Sequence, residues 1–114
     1  PTLGVLSEPG VYERLEALAA RVEIGLRAAA GDTPVTVNRV GAMLTMFFRE
    51  GPVASWADAK GADTAAFARY HRHMLGHGVY LAPSQFEATM ISLALTDDDL
   101  RRAQEAAAAF FAAA

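Results

Sequence analysis

The 114 residues contain no cysteine, one lysine and one tryptophan. Without cysteine there is neither a disulfide framework nor a thiolate zinc site, which agrees with a reducing cytoplasm as the expected compartment. The formal charge of −3 comes with no Lys/Arg stripe able to neutralise a row of phosphates, so nucleic acid is not an expected partner. No apolar run approaches the roughly twenty residues that span a bilayer, and no signal-peptide pattern is present, so no membrane is expected either. Also missing are a glycine-rich phosphate loop, a Gly-x-Ser-x-Gly elbow and a Ser/His/Asp set. Lys60, the single lysine, sits among Asp58, Gly61 and Asp63 in a wet connection, where nothing would lower its pKa for Schiff-base chemistry.

What is present is a globular balance of 53% hydrophobic and 20% charged residues, rich in alanine. The length allows one domain, residues 1–114, with one modest core. Pro9 and Gly10 open a helix with proline in its permitted first turn, and Val11, Leu15, Leu18, Val22 and Leu26 form its apolar stripe. Gly31-Asp32 stops it. Residues 35–40 and 43–48 flank Gly41-Ala42, and glycine first in a two-residue loop predicts a type II′ hairpin. That turn pairs Val40 with Met43, Asn38 with Thr45 and Thr36 with Phe47. Val35, Val37, Leu44, Met46 and Phe48 then line the core face. The opposite face is half polar but carries Met43 and Phe47, which something outside the chain is expected to cover.

Ser55 to Asp58 suits a short helical turn, and 62–75 a helix whose apolar side is Phe67, Tyr70, Met74 and Leu75. Val79-Tyr80-Leu81 and residues 89–93 read as two short strands. Thr96 caps a last helix with Asp97, Asp98 and Asp99 in its first turn, and Leu100, Ala103, Ala107 and Phe110 as its buried stripe. Helices gathered on one face of a small, largely antiparallel sheet bury these stripes economically, so the expected class is α+β.

Two clusters have ordinary explanations. His73 and His77 lie four apart on one helix face, a spacing that can grip a metal, yet no third ligand is evident. Histidines near a helix C-terminus are favoured there anyway, so no metal is expected. The three aspartates lack the alternating acids and central glycine of a calcium loop and serve as helix caps.

Residues 78–87 differ. Apolar flanks enclose Pro83, Ser84, Gln85 and Glu87, a polar run that local propensity does not explain and that reads as a loop presenting chemistry. Burying Glu87 beside Phe86 and Ala88 would require a cation partner or a neutral acid.

This segment, Gly78-Val79-Tyr80-Leu81-Ala82-Pro83-Ser84-Gln85-Phe86-Glu87-Ala88, resembles the glutamate-1-semialdehyde 2,1-aminomutases, pyridoxal-phosphate enzymes of tetrapyrrole synthesis. The resemblance runs from about Leu3 to Ala109. It includes Pro9-Gly10-Val11-Tyr12-Glu13-Arg14-Leu15, the hairpin from Val37 to Phe48, and Ala57-Asp58-Ala59-Lys60 with Asp63-Thr64. It implies the C-terminal small domain of a class III, fold type I aminotransferase-like enzyme. The large domain that binds pyridoxal or pyridoxamine phosphate would be absent, and with it the Schiff-base lysine. The start at Pro1 without methionine adds to the expectation of a piece of a longer polypeptide, inactive and cofactor-free alone, whose parent is a cytoplasmic homodimer acting on a small amino-acid substrate. By resemblance Glu87 reaches the substrate or the network around the catalytic lysine, with Ser84 and Gln85 near the substrate. The family usually has Ser-Leu-Ala-His-Thr where this chain has Ser92-Leu93-Ala94-Leu95-Thr96. The residues also leave open the small domain of another class III aminotransferase, or a free-standing module that binds a ligand or partner.

Overall fold

A computed structural model describes residues 2–82, 84 and 86–113. In chain order they form α1 (Thr2–Leu6), α2 (Val11–Ala30), β1 (Thr36–Val40), β2 (Met43–Phe47), α3 (Trp56–Lys60), α4 (Thr64–Gly76), β3 (Thr89–Met90) and α5 (Asp97–Ala113). The class is α+β, as the apolar stripes predict.

The hairpin follows from its turn. Gly41 has φ +57° and is the only residue of the pair in the left-handed region, as a type II′ turn demands. Register follows: Val40 faces Met43, Asn38 faces Thr45 and Thr36 faces Phe47. β3 adds antiparallel to the free edge of β2, giving the order β1-β2-β3. The second strand of the polar-loop region is therefore short, although the Ile91 amide extends the pairing by donating to Ala42 O at 2.9 Å. The first of the two predicted strands does not form. Val79 and Leu81 spend backbone groups on α4 instead. Val79 N–H donates to Met74 O at 2.8 Å, closing the end of α4, and Leu81 O lies 3.2 Å from His71 Nε2.

Alternation along β1 and β2 sends Val37, Leu44, Met46 and Phe48 to the helix side, where all are buried. Phe48 is the centre of an aromatic cluster: Tyr70 of α4 lies 5.6 Å away centroid to centroid, Phe111 of α5 6.1 Å and Phe110 6.2 Å. Met74, Ala106 and Ala107 complete this core, and Ala19 with Leu44 and Ile91 forms a second cluster beside it. Leu95, where the family usually has histidine, packs against that second cluster and acts there as an apolar filler.

The helix ends match their sequences, with two corrections. Pro9 does not enter α2. It precedes Gly10, and the helix begins at buried Val11. Leu75 is half exposed, because the inward side of α4 is set by Ala66, Tyr70 and Met74 at spacings of four. Ser55 caps α3 by accepting from Asp58 N–H at 3.1 Å, and Asp63 caps α4 by accepting from Ala66 N–H at 2.9 Å. α5 opens with a reciprocal capping box. Thr96 Oγ1 accepts from Asp99 N–H at 3.1 Å, and Asp99 Oδ2 accepts from Thr96 N–H at 2.9 Å. These bonds hold the Asp99 carboxyl below the usual carboxylate range.

α2 is tied to β1 by charge. Arg39 Nε donates to Glu23 Oε1 at 2.7 Å, and Arg27 bridges Glu23 Oε2 (2.9 Å) to Val37 O (2.8 Å). The two guanidinium groups lower the pKa of Glu23.

Candidate functional site

The chain leaves α4 through a left-handed glycine. Gly78 has φ +81°, a conformation a β-carbon would strain, and its amide donates to Leu75 O at 3.0 Å. This reversal brings Val79, Leu81, Ala82, Ser84 and Glu87 onto the lining of one cavity. Val79 and Leu81 are anchored on the main core, while Ser84 organises the turn beyond. Ser84 Oγ accepts from Phe86 N–H at 3.2 Å and Ser84 O accepts from Glu87 N–H at 3.2 Å. The ring of Phe86 then packs edge-on against Trp56 of α3 at 5.1 Å. The segment is thus a loop, as its composition predicts.

Under this loop lies a cavity of about 250 Å³. Its walls are largely apolar: Leu44 and Met46 from β2, Gly25 and Leu26 from α2, Tyr70 and Met74 from α4, and Ala103 from α5. The loop and β3 add Ser84, Glu87 and Thr89 to its lining, and α2 and α5 add Arg21, Asp97, Arg101 and Gln104. Arg21 is paired with Asp97 at 2.7 Å, and Arg101 with Asp98 and Glu105. Glu87 is exposed, and among the described residues it has no ion-pair partner. The condition foreseen for a buried Glu87 does not arise here.

The structure therefore brings Ser84 and Glu87 to one cavity. Gln85 lies outside the described residues. The chain's other singled-out groups stand apart from it. Lys60 is exposed at the end of α3. The histidines bond to backbone carbonyl oxygens: His71 to Leu81 (3.2 Å), His73 to Ala106 (2.8 Å) and His77 to His73 (2.9 Å). Among the described residues no group of three His, Asp or Glu side chains is placed to hold a metal. No helix among them is long and apolar enough to cross a membrane. Two features escaped the sequence: the cavity itself, and Tyr70 as its buried polar wall. The only available signal was tyrosine, rather than phenylalanine, on the inner stripe of a helix.

The outer face of the sheet divides in two. Phe47, expected to need outside cover, is buried by this chain's own Val53, Ala59 and Ala62. At the other end Val40 (75% exposed), Met43 and Met90 (73%) form one open row, joined by the Val40–Met43 and Met43–Met90 pairings.

No family model matches the chain. It is 51% identical over 113 residues to the glutamate-1-semialdehyde 2,1-aminomutase of Desulfosudis oleivorans, a match covering 97% of this chain and 26% of that protein. Its fold matches that of the Pseudomonas aeruginosa PAO1 glutamate-1-semialdehyde aminomutase with a TM-score of 0.80, at 22% identity, over 92% of this chain and 24% of the other. The β-phenylalanine aminotransferase of Variovorax paradoxus gives a TM-score of 0.73 at 29% identity, over 91% and 23%. The chain spans about a quarter of the length of the curated relatives it matches. Over nearly all of its own length, then, this chain is homologous to one quarter of a glutamate-1-semialdehyde 2,1-aminomutase.

Proposed function

We propose that this chain is the C-terminal small domain of a glutamate-1-semialdehyde 2,1-aminomutase, which isomerises glutamate-1-semialdehyde to 5-aminolevulinate in tetrapyrrole synthesis by two amino transfers. The observation that carries the reading is the 51% identity across 113 residues to such an enzyme, together with the loop that presents Ser84 and Glu87. The open row Val40, Met43 and Met90 adds to it, since an exposed apolar row on a sheet face suits the surface on which the remaining three quarters of such an enzyme would pack.

The residues of this chain do not fit a pyridoxal-phosphate site by themselves. Its one lysine is exposed, and the two arginines of the cavity lining are already paired with acids, Arg21 with Asp97 and Arg101 with Asp98 and Glu105. The cofactor, which supplies the amino group that is moved, would be held by the rest of the enzyme, and the chain alone would be inactive. The part assigned to this domain is to wall the active site. Glu87, exposed and without an ion-pair partner among the described residues, is suited to attract a substrate amino group, with Ser84 on the same cavity and Gln85, by resemblance alone, as a further substrate-proximal residue. The whole enzyme would be a cytoplasmic homodimer.

A second reading, the small domain of another class III aminotransferase, is supported by the 29% identity and shared fold with the β-phenylalanine enzyme. Replacing the matching quarter of the Desulfosudis oleivorans aminomutase with these 114 residues separates the two. Formation of 5-aminolevulinate by the chimera supports the first reading. A folded, cofactor-loaded chimera that transaminates amino acids without isomerising the semialdehyde supports the second.

A further inference from the structure

Tyr70 is 4% exposed and lines the cavity beneath the 79–88 loop, yet its hydroxyl makes no hydrogen bond among the described residues. A buried phenol without a partner forfeits the bonds it makes to water in the unfolded chain, a penalty that most native interiors avoid. Its ring is held by Phe48, Phe67, Phe110 and Phe111, so its position is fixed by packing. Burial also pushes its ionisation well above the usual phenol range, and the phenol is in any case a donor at neutral pH.

We propose that this cavity is a binding site for a small neutral molecule, apolar except for one hydroxyl or carbonyl that hydrogen-bonds Tyr70. Size, wall chemistry and charge each narrow the class. An apolar cavity of roughly 150 Å³ accepts benzene; at about 250 Å³ this one accommodates a substituted ring or a branched chain of comparable bulk. Leu26, Leu44, Met46 and Met74 offer nothing to a polar body. The nearby cations are already committed, Arg21 to Asp97 and Arg101 to Asp98 and Glu105, and the Glu87 carboxylate on the same lining repels an anion, so a carboxylate is disfavoured. Glu87 is itself exposed to solvent, so the buried part of the ligand beside Tyr70 meets no charge. The site is formed by this chain alone and does not depend on the aminomutase reading.

Benzyl alcohol and toluene differ by the one group at issue and serve as probes of the 114-residue chain, followed by amide chemical shifts. Benzyl alcohol should saturate one site, moving signals of the cavity-lining residues. Tyr70→Phe should weaken benzyl alcohol about tenfold while leaving toluene unchanged. Ala103→Leu, which fills the cavity from α5, should abolish binding of both while leaving the shift dispersion of a folded chain. Absence of saturable binding, or equal weakening of the two probes by Tyr70→Phe, would overturn the assignment.

Discussion

Val37, Leu44 and Met46 on one face of the sheet, and Val40, Met43 and Met90 on the other, are apolar residues of the same three short strands. The first set is sealed by α2, α4 and α5 around Phe48, whereas the second is open to solvent. One face is thus complete within the chain and the other is complete only at the end that α3 covers, where Phe47 meets Ala59 and Ala62. Burial on the closed face stabilises this chain. Exposure on the open face is a cost the chain carries, and in the proposed reading the rest of an aminomutase removes it.

Substitutions on the two faces should therefore have opposite signatures. Phe48→Ala removes the ring at the centre of the aromatic cluster and is expected to cost about 3–5 kcal/mol, read as a lower urea midpoint. A loss under about 1 kcal/mol would mean that the closed face is not the source of stability. Glu87→Gln in a full-length parent or the chimera is expected to reduce turnover by about a hundredfold or more, with thermal unfolding unchanged; wild-type kinetics would remove Glu87 from the mechanism. Thr96→Ala, which breaks the capping box of α5, should lower stability by about 1 kcal/mol. Met43→Lys on the open row should change the stability of the isolated chain by less than about 0.5 kcal/mol. A large destabilisation by Met43→Lys would show that this face is already part of the core.

Acid sharpens the contrast from a third side. Glu23 is held below its ordinary value of 4.5 by hydrogen bonds from Arg39 and Arg27, so folding favours its ionised form. The stability it contributes is fully present above the unfolded-state value and is lost as pH falls through the lower folded-state value. Urea midpoints measured from pH 6 down to pH 3 should fall, and Glu23→Gln should flatten part of that slope. An unchanged slope would mean that the α2–β1 ion pairs do not couple to folding.

How legible these features were in the sequence depended on how local their causes are. The hairpin and its register follow from Gly41, whose left-handed φ fixes the turn and thereby every cross-strand pair. The cap of α5 follows from Thr96, acting within three residues of itself. Asp63 caps α4 just as locally, but the apolar pattern alone starts that helix at Ala62, two residues before its true first residue, Thr64. By contrast, Val79-Tyr80-Leu81 has strand composition and forms no strand, because its backbone groups are taken by α4: Val79 N–H by Met74 O and Leu81 O by the His71 ring. The cover over Phe47 depends on α3 folding back across the sheet, and the cavity on how three helices meet β2. Neither leaves a local pattern. For the site, the loop and the residues Ser84 and Glu87 were legible as a polar run between apolar flanks. Tyr70 was legible only as part of a stripe, since its isolation as a polar group arises from long-range packing.

The central claim is that the open face and the loop complete a larger enzyme. Its most direct test is to mix this chain with a Desulfosudis oleivorans aminomutase truncated to lack the matching 113 residues, and to follow association and 5-aminolevulinate formation together. The account predicts a stable complex with activity that requires both pieces, and association at least about tenfold weaker with Met43→Lys. Failure to associate when the truncated partner is folded, or turnover of the semialdehyde by the 114-residue chain unaided, would contradict it.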